Sequence, residues 1–118
     1  MGKFVFVLTR GLEDPVRVTR CFQLAKAANE QGHDVSLFLT DDAAFLMKPG
    51  MLDHVVAPTG DEAAPNMTYL LENKVPVFVC TPCAISRQIK EEDLIEGAKF
   101  GGAPVLFELS DGANNFTF

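Results

Sequence analysis

Residues 75–87 read VPVFVCTPCAISR, and the order of these residues decides the fold. Pro76 to Cys80 is apolar at nearly every position, which is how a strand covered on both faces reads. Thr81-Pro82 follows at once, a cap residue and then a proline preset for the first helical turn. A strand that passes directly into a helix is the unit of a parallel α/β sheet.

The same grammar recurs upstream. Lys3 to Thr9 (KFVFVLT) is a second buried-strand pattern, broken by Arg10-Gly11-Leu12-Glu13. Asp14-Pro15 then opens a helix whose apolar face is Val18, Cys21, Phe22, Ala25 and Ala28, and Gly32 ends it. His33 to Thr40 (HDVSLFLT) is another strand, after which Asp42 is placed to cap a short helical turn through Phe45-Leu46-Met47. Residues 49–65 read as irregular, with a brief strand within Leu52–Val56. Asn66 to Asn73 reads as a helix, and the helical pattern after Thr81 continues past a kink through Glu91 to Phe100, with Gly101-Gly102 as its stop. Pro104 to Leu109 (PVLFEL) reads as the last strand, and the tail after Ser110 as a loop whose Phe116 and Phe118 pack on something. No repeat or linker interrupts the 118 residues, which predicts one domain over 1–118 with a mostly parallel sheet and helices on both faces.

Composition narrows the function. Hydrophobic residues are 47% and charged residues 22%, a globular balance, and the net charge is -6. No stretch gathers Lys and Arg, which argues against nucleic acid as a partner. The apolar runs fall far short of the roughly 20 residues that span a bilayer, so no membrane partner is expected. Met1-Gly2-Lys3-Phe4-Val5 enters a strand pattern directly, without a small-residue cleavage site, and the expected location is the cytoplasm.

Function in open parallel sheets gathers at the carboxyl ends of the strands. Here those ends carry Thr9-Arg10-Gly11, Thr40-Asp41-Asp42, Cys80-Thr81-Pro82-Cys83 and Ser110-Asp111-Gly112. Cys80-Thr81-Pro82-Cys83 is the sharp motif. Amides opening a helix favour a thiolate over a thiol, so Cys80 is the expected anionic sulfur. Cys83 reads equally as a second reactive thiol or as an inward-facing helix residue. Arg87 stands one helical turn beyond Cys83 and is placed to add positive charge. Thr9, Arg10, Asp41 and Thr81 are the candidates to line a substrate pocket. Asp41 and Asp42 also suit a base or a cation site, although capping accounts for one of them. Cys21, on the apolar helix face, reads as an inert core residue.

Three cysteines are too few for a disulfide framework. One CxxC supplies two of the four ligands a structural zinc takes, and His33 and His54 fall outside the strand ends, so no metal is expected within one chain, with a Cys₄ site shared across a subunit interface as the alternative. GxGxxG and GxxxxGK[ST] are absent, which leaves nucleotide binding without support.

The stretch VPVFVCTPCAISRQIKEEDLIEGAKFGGAPVLFEL, with the opening FVFVLTRGLEDPVRVTRCFQLAKAANEQGHDVSLFLTDDA, resembles the DsrE/DsrF-like family, which includes the TusD type of sulfur-relay subunit. The family's marker is a cysteine ending a central strand with Arg-Gly seven and eight residues later. Cys80 and Arg87 match it, Gln88 stands in place of the glycine, and Cys83 matches a CxxC variant. The resemblance implies a three-layer, flavodoxin-like fold, a homo-oligomer (a trimer or hexamer), and a cysteine able to carry sulfur as a persulfide, with a small sulfur-carrier protein as donor or acceptor. That chemistry is sulfurtransferase chemistry and requires no cofactor. Two other readings stand beside it: a CxxC dithiol redox protein, and a non-catalytic oligomeric binding module.

Overall fold

A computed structural model describes residues 1–118. Its centre is a sheet of five parallel strands in the order β4-β3-β2-β1-β5: β1 Lys3–Leu8, β2 Asp34–Leu39, β3 Val77–Cys80, β4 Ala98–Gly101 and β5 Asn114–Thr117. From β1 to β4 the chain steps in one direction across the sheet. Right-handed crossovers therefore lay the intervening helices on one face. These are α1 (Pro15–Glu30), a 3-10 helix (Asp41–Met47) leading to α2 (Ala63–Glu72), and α3 (Thr81–Ser86). After β4 the chain reverses, and α4 (Ala103–Ser110) crosses back over the opposite face to reach β5.

Side-chain alternation explains the core. Phe6, Leu8, Val35, Leu37, Leu39, Val77 and Val79 share the face beneath α1 and α2, and join Val18, Cys21, Phe22, Met67 and Leu70 in one buried cluster. β2 is the middle strand and is buried from Val35 to Leu39 on both faces, which is why its sequence lacks polar alternation. The opposite face is covered only by α4. That helix buries none of its residues although Val105, Leu106, Phe107 and Leu109 are all large and apolar; Phe107 is 72% exposed.

The sheet and its first three strands lie where the sequence places them, and Asp14 caps α1 as expected, accepting the N–H of Arg17 at 3.1 Å. The last quarter of the chain differs. Pro104–Leu109 is not a strand but the body of α4; Gly102 caps it and Pro104 sits in its first turn. A six-residue apolar run has no periodicity that separates strand from helix. The cap-then-proline signal used at Asp14-Pro15 points the right way here too. Ala98–Phe100, expected as helix, forms β4 instead. Gly97, with φ 98°, turns the chain into it, and Phe78↔Lys99 and Cys80↔Gly101 pair it with β3. The tail is not a loop but the edge strand β5. Phe116 stacks on Phe4 and Phe6 at ring separations of 5.9 and 5.5 Å, and Phe118 lies 6.3 Å from Phe6. Ser110-Asp111-Gly112 therefore ends a helix, not a strand, and leaves the list of strand ends that face the crevice.

Candidate thiol site at the carboxyl ends of β2 and β3

The direction of the chain after each strand fixes where a crevice opens. The segment after β3 goes to the α1/α2 face, and Ala84 and Ile89 join the core there. The segment after β4 goes to the α4 face, where a Cβ on Gly101 would lie 3.0 Å from Phe78 and 3.2 Å from Val105. Neighbouring strands whose continuations part to opposite faces leave a gap at their carboxyl ends. Cys80 ends β3 at that gap.

The register Leu39↔Val79 brings the ends of β2 and β3 side by side. Thr40 and Cys80 follow those residues, and α3 starts immediately, with Cys80 as its N-cap and Pro82 in its first turn. The cap thus falls one residue earlier than Thr81, which is the first helical residue and half-buried. This tight junction returns Cys83 toward β2, where its Sγ lies 3.3 Å from the hydroxyl of Thr40. Cys80 and Cys83 are both free and both partly exposed, while Cys21 is fully buried.

The two thiols differ electrostatically. For Cys80 burial is the largest influence, and it pushes the thiol above its ordinary range. The Cys83 amide and, more weakly, the Thr40 hydroxyl oppose this, but the Cys83 side chain acts the other way and helps keep the proton on Cys80. For Cys83 burial is again the largest single influence and raises it, yet the Thr40 hydroxyl, the Cys80 thiol and the Asp41 amide together outweigh it. Cys83 is lowered, against a modest opposing push from the Asp41 carboxylate. The sequence reading expects the anion at Cys80; the donors around the pair favour it at Cys83 over Cys80. The reason is geometric: a six-residue helix aims few amides at its own cap, whereas Thr40 and Asp41 converge on Cys83 from the neighbouring strand end.

Arg87 follows α3 as its C-cap, and its guanidinium hydrogen-bonds to groups other than the sulfurs. Its Nη1 donates to the carbonyl of Cys83 at 3.1 Å and its Nη2 to Oδ1 of Asp42 at 3.1 Å, with the guanidinium 6.0 Å from the Phe45 ring. Asp42 is thereby an ion-pair partner, not a helix cap; the 3-10 helix starts at Asp41 with Thr40 before it and no side-chain cap. Asp41 adopts φ 52°, a left-handed backbone uncommon for a residue with a side chain, directly beside the thiol pair. Gln88, at the position of the family's glycine, has φ 62°, so the departure noted in the sequence falls on a backbone that favours glycine.

The remaining candidates lie further off. Thr9 uses its hydroxyl on the carbonyl of Phe118 at 2.8 Å, and Arg10 is exposed with no ion pair; neither hydrogen-bonds to a thiol. Gly11 connects this loop to the site, since a Cβ there would lie 2.5 Å from the carbonyl oxygen of Asp42. Thr40 is the site residue that the sequence reading does not single out. Its signal is position alone: the last residue before the turn, on the strand beside the cysteine strand. A hollow of about 810 Å³ lies elsewhere, between Lys74, Phe78, Lys99 and Leu109. No three His, Cys, Asp or Glu side chains are grouped to hold a metal ion, and no helix is long and apolar enough to cross a membrane.

An all-parallel α/β sheet with a CxxC pair where an interior strand meets a helix defines a class of thiol-bearing proteins. Within that class the chain belongs to the DsrE/DsrF-like family, whose model matches residues 2–118. It is 32% identical over 101 residues to the uncharacterized protein MJ0989 of Methanocaldococcus jannaschii, covering 82% of each chain. It is also 32% identical over 106 residues to the uncharacterized protein MK0008 of Methanopyrus kandleri, covering 86% of this chain and 81% of that one. The crystal structure of the ychN protein from E. coli superposes over 100% of both chains with a TM-score of 0.83 at 27% identity. The MTH1491 protein of Methanobacterium thermoautotrophicum shares the fold, with a TM-score of 0.72 at 12% identity.

Proposed function

We propose that this protein carries sulfur as a persulfide on the Cys80–Cys83 pair and passes it to an acceptor thiol on a small sulfur-carrier protein. The observation that carries the reading is the pairing itself: two free, partly exposed thiols three residues apart at a strand-end crevice, with the Thr40 hydroxyl 3.3 Å from Sγ of Cys83. Membership of a family associated with sulfur relay supports it.

The chemistry balances without a cofactor. A thiolate of the pair attacks the outer sulfur of a donor persulfide R–S–SH. The new bond gives Cys–S–SH, the donor S–S bond breaks, and R–S⁻ leaves. An acceptor thiolate then attacks that outer sulfur and restores the cysteine. Alternatively, the second cysteine attacks the inner sulfur, forming the Cys80–Cys83 disulfide and releasing HS⁻. Amide and hydroxyl donors stabilise the anionic sulfur as an oxyanion hole stabilises oxygen. Two free thiols in this arrangement suit a reducing compartment such as the cytoplasm.

The uncovered apolar face of α4 supports a homo-oligomer as the working form. Light scattering on the purified chain reads this directly: a mass of one chain at micromolar concentration counts against it.

Intact-mass spectrometry after incubation with a persulfide donor tests the function. The parent gains sulfur that dithiothreitol removes, and the double variant Cys80→Ser/Cys83→Ser gains none. Equal uptake by both overturns the proposal. The dithiol redox reading is favoured instead if the pair takes up no sulfur but cycles as a disulfide at a potential above about -200 mV.

A further inference from the structure

We propose that Thr40 is a positioning residue that makes Cys83 the first nucleophile of the pair and leaves Cys80 as the thiol that holds its proton and resolves the intermediate. This assignment rests on the persulfide reading above for its chemical consequence, but not for its geometry.

The geometry is asymmetric between the two sulfurs. Thr40 stands on the strand end beside β3, and its Oγ1 lies 3.3 Å from Sγ of Cys83. Either atom of that contact can donate, and the hydroxyl is the donor once Cys83 is a thiolate. The same hydroxyl also favours the anion at Cys80, but there it ranks behind burial and both Cys83 contacts, whereas at Cys83 it is the strongest lowering influence. The next residue, Asp41, holds the left-handed backbone φ 52° and turns its own amide toward the same sulfur. The Cys80 thiol adds to the same effect, so Thr40, Asp41 and Cys80 together favour the anion at Cys83. The charged groups around it are the Asp41 carboxylate, which opposes the anion, and the Asp42–Arg87 ion pair on the flank, whose guanidinium is turned to Asp42 and the Cys83 carbonyl.

The order of events follows. Cys83–S⁻ attacks the outer sulfur of R–S–SH, giving Cys83–S–SH and R–S⁻. Cys80 then gives up its proton to solvent and attacks the inner sulfur, forming Cys80–S–S–Cys83 and expelling HS⁻; or the acceptor thiolate removes the outer sulfur first. The roles are fixed by which sulfur the strand end of β2 serves, not by which cysteine ends the strand.

Iodoacetamide labelling with peptide mapping separates the two thiols without any sulfur transfer. In the parent, Cys83 is alkylated ahead of Cys80 near neutral pH. Thr40→Val keeps the shape but removes the hydroxyl; its Cys83 reacts roughly tenfold more slowly at pH 7, with the midpoint of its pH profile moved upward, and Thr40→Ser restores both. Cys80 reacting first in the parent overturns the assignment, as does an unchanged profile in Thr40→Val. In the Cys80→Ser variant, which cannot close the disulfide, donor sulfur is expected on Cys83. If alkylation follows the predicted order but no variant ever takes up sulfur, the persulfide reading fails and the Thr40 assignment stands. If sulfur is taken up but lands on Cys80 alone, the assignment fails and the persulfide reading stands.

Discussion

Arg87 reaches from the end of α3 to place Nη2 3.1 Å from Oδ1 of Asp42, so the turn that follows β3 is tied to the turn that follows β2. The same guanidinium holds the Cys83 carbonyl, which makes Arg87 a brace between helix α3 and the turn after β2. A double-mutant cycle on Arg87→Ala and Asp42→Ala measures the brace. Both side chains are partly exposed, so the coupling is expected at about 0.2–1 kcal/mol and to shrink in high salt. A coupling near zero in low salt contradicts the brace.

Gln88 occupies a left-handed backbone at φ 62° just past the end of α3. A non-glycine residue there carries about 1–2 kcal/mol of steric strain, and glycine relieves it at some cost in unfolded-state entropy. Gln88→Gly is expected to raise unfolding stability by about 0.5–1 kcal/mol, read as a shift in the urea midpoint at unchanged slope. Destabilisation by the same amount would mean the Gln88 side chain contributes a contact that outweighs the strain.

Gly11 is the point at which the loop after β1 meets the 3-10 helix. Its φ needs no glycine, but a Cβ would lie 2.5 Å from the Asp42 carbonyl oxygen and 3.0 Å from the Asp42 carbonyl carbon, which are backbone atoms and cannot rotate away. Gly11→Ala is expected to destabilise by about 1–3 kcal/mol. Because the loop presses on Asp42, the variant is also expected to change the alkylation rate of Cys83. An unaffected melting temperature contradicts the close approach.

Asp14 caps α1 and also pairs with Arg17. The Arg17 amide is the largest cause, followed by its guanidinium, and together they hold the Asp14 carboxyl below its ordinary value of 3.8. A carboxyl lowered by folding binds its proton more readily in the unfolded chain, so its stabilisation is present above the unfolded value and is lost as pH falls through the folded one. Asp14→Ala is therefore expected to cost about 1 kcal/mol near neutral pH, with the difference from the parent narrowing as pH drops below 3.8. A difference that stays constant down to pH 2 contradicts the charged cap.

Cys21 is fully buried on α1 against the sheet, and burial pushes its thiol far upward. Native alkylation through pH 9 is expected to reach Cys80 and Cys83 and leave Cys21 untouched until the chain is unfolded in guanidinium. Labelling of Cys21 at the rate of the other two would mean that α1 opens readily.

Much of this architecture is written in local signals. The apolar run at Pro76–Cys80 bounded by Thr81-Pro82, the Asp14-Pro15 start of α1 and the largely apolar β2 carry their signals locally, and the structure follows them. The C-terminal quarter is different because its elements are short and their partners distant. β5 is Asn-Asn-Phe-Thr, a poor strand by propensity, and it forms because β1 offers an open edge and Phe4 and Phe6 offer rings to stack on. β4 is four residues that pair only with β3. The site divides in the same way. Cys80, Cys83 and Arg87 are legible from a motif contiguous in the chain. The close hydroxyl contact to Cys83 comes from Thr40, 43 residues away, and register between strands is what brings it there.

The central claim is that the thiol pair takes up sulfur and gives it away. Heavy-sulfur labelling tests it most directly: load the protein from a labelled persulfide donor, remove the donor, add an acceptor thiol, and follow the label by mass spectrometry. The label is expected to enter the parent, to leave with the acceptor, and to be absent from Cys80→Ser/Cys83→Ser. Label that never enters the parent, or that enters the double variant equally, contradicts the account.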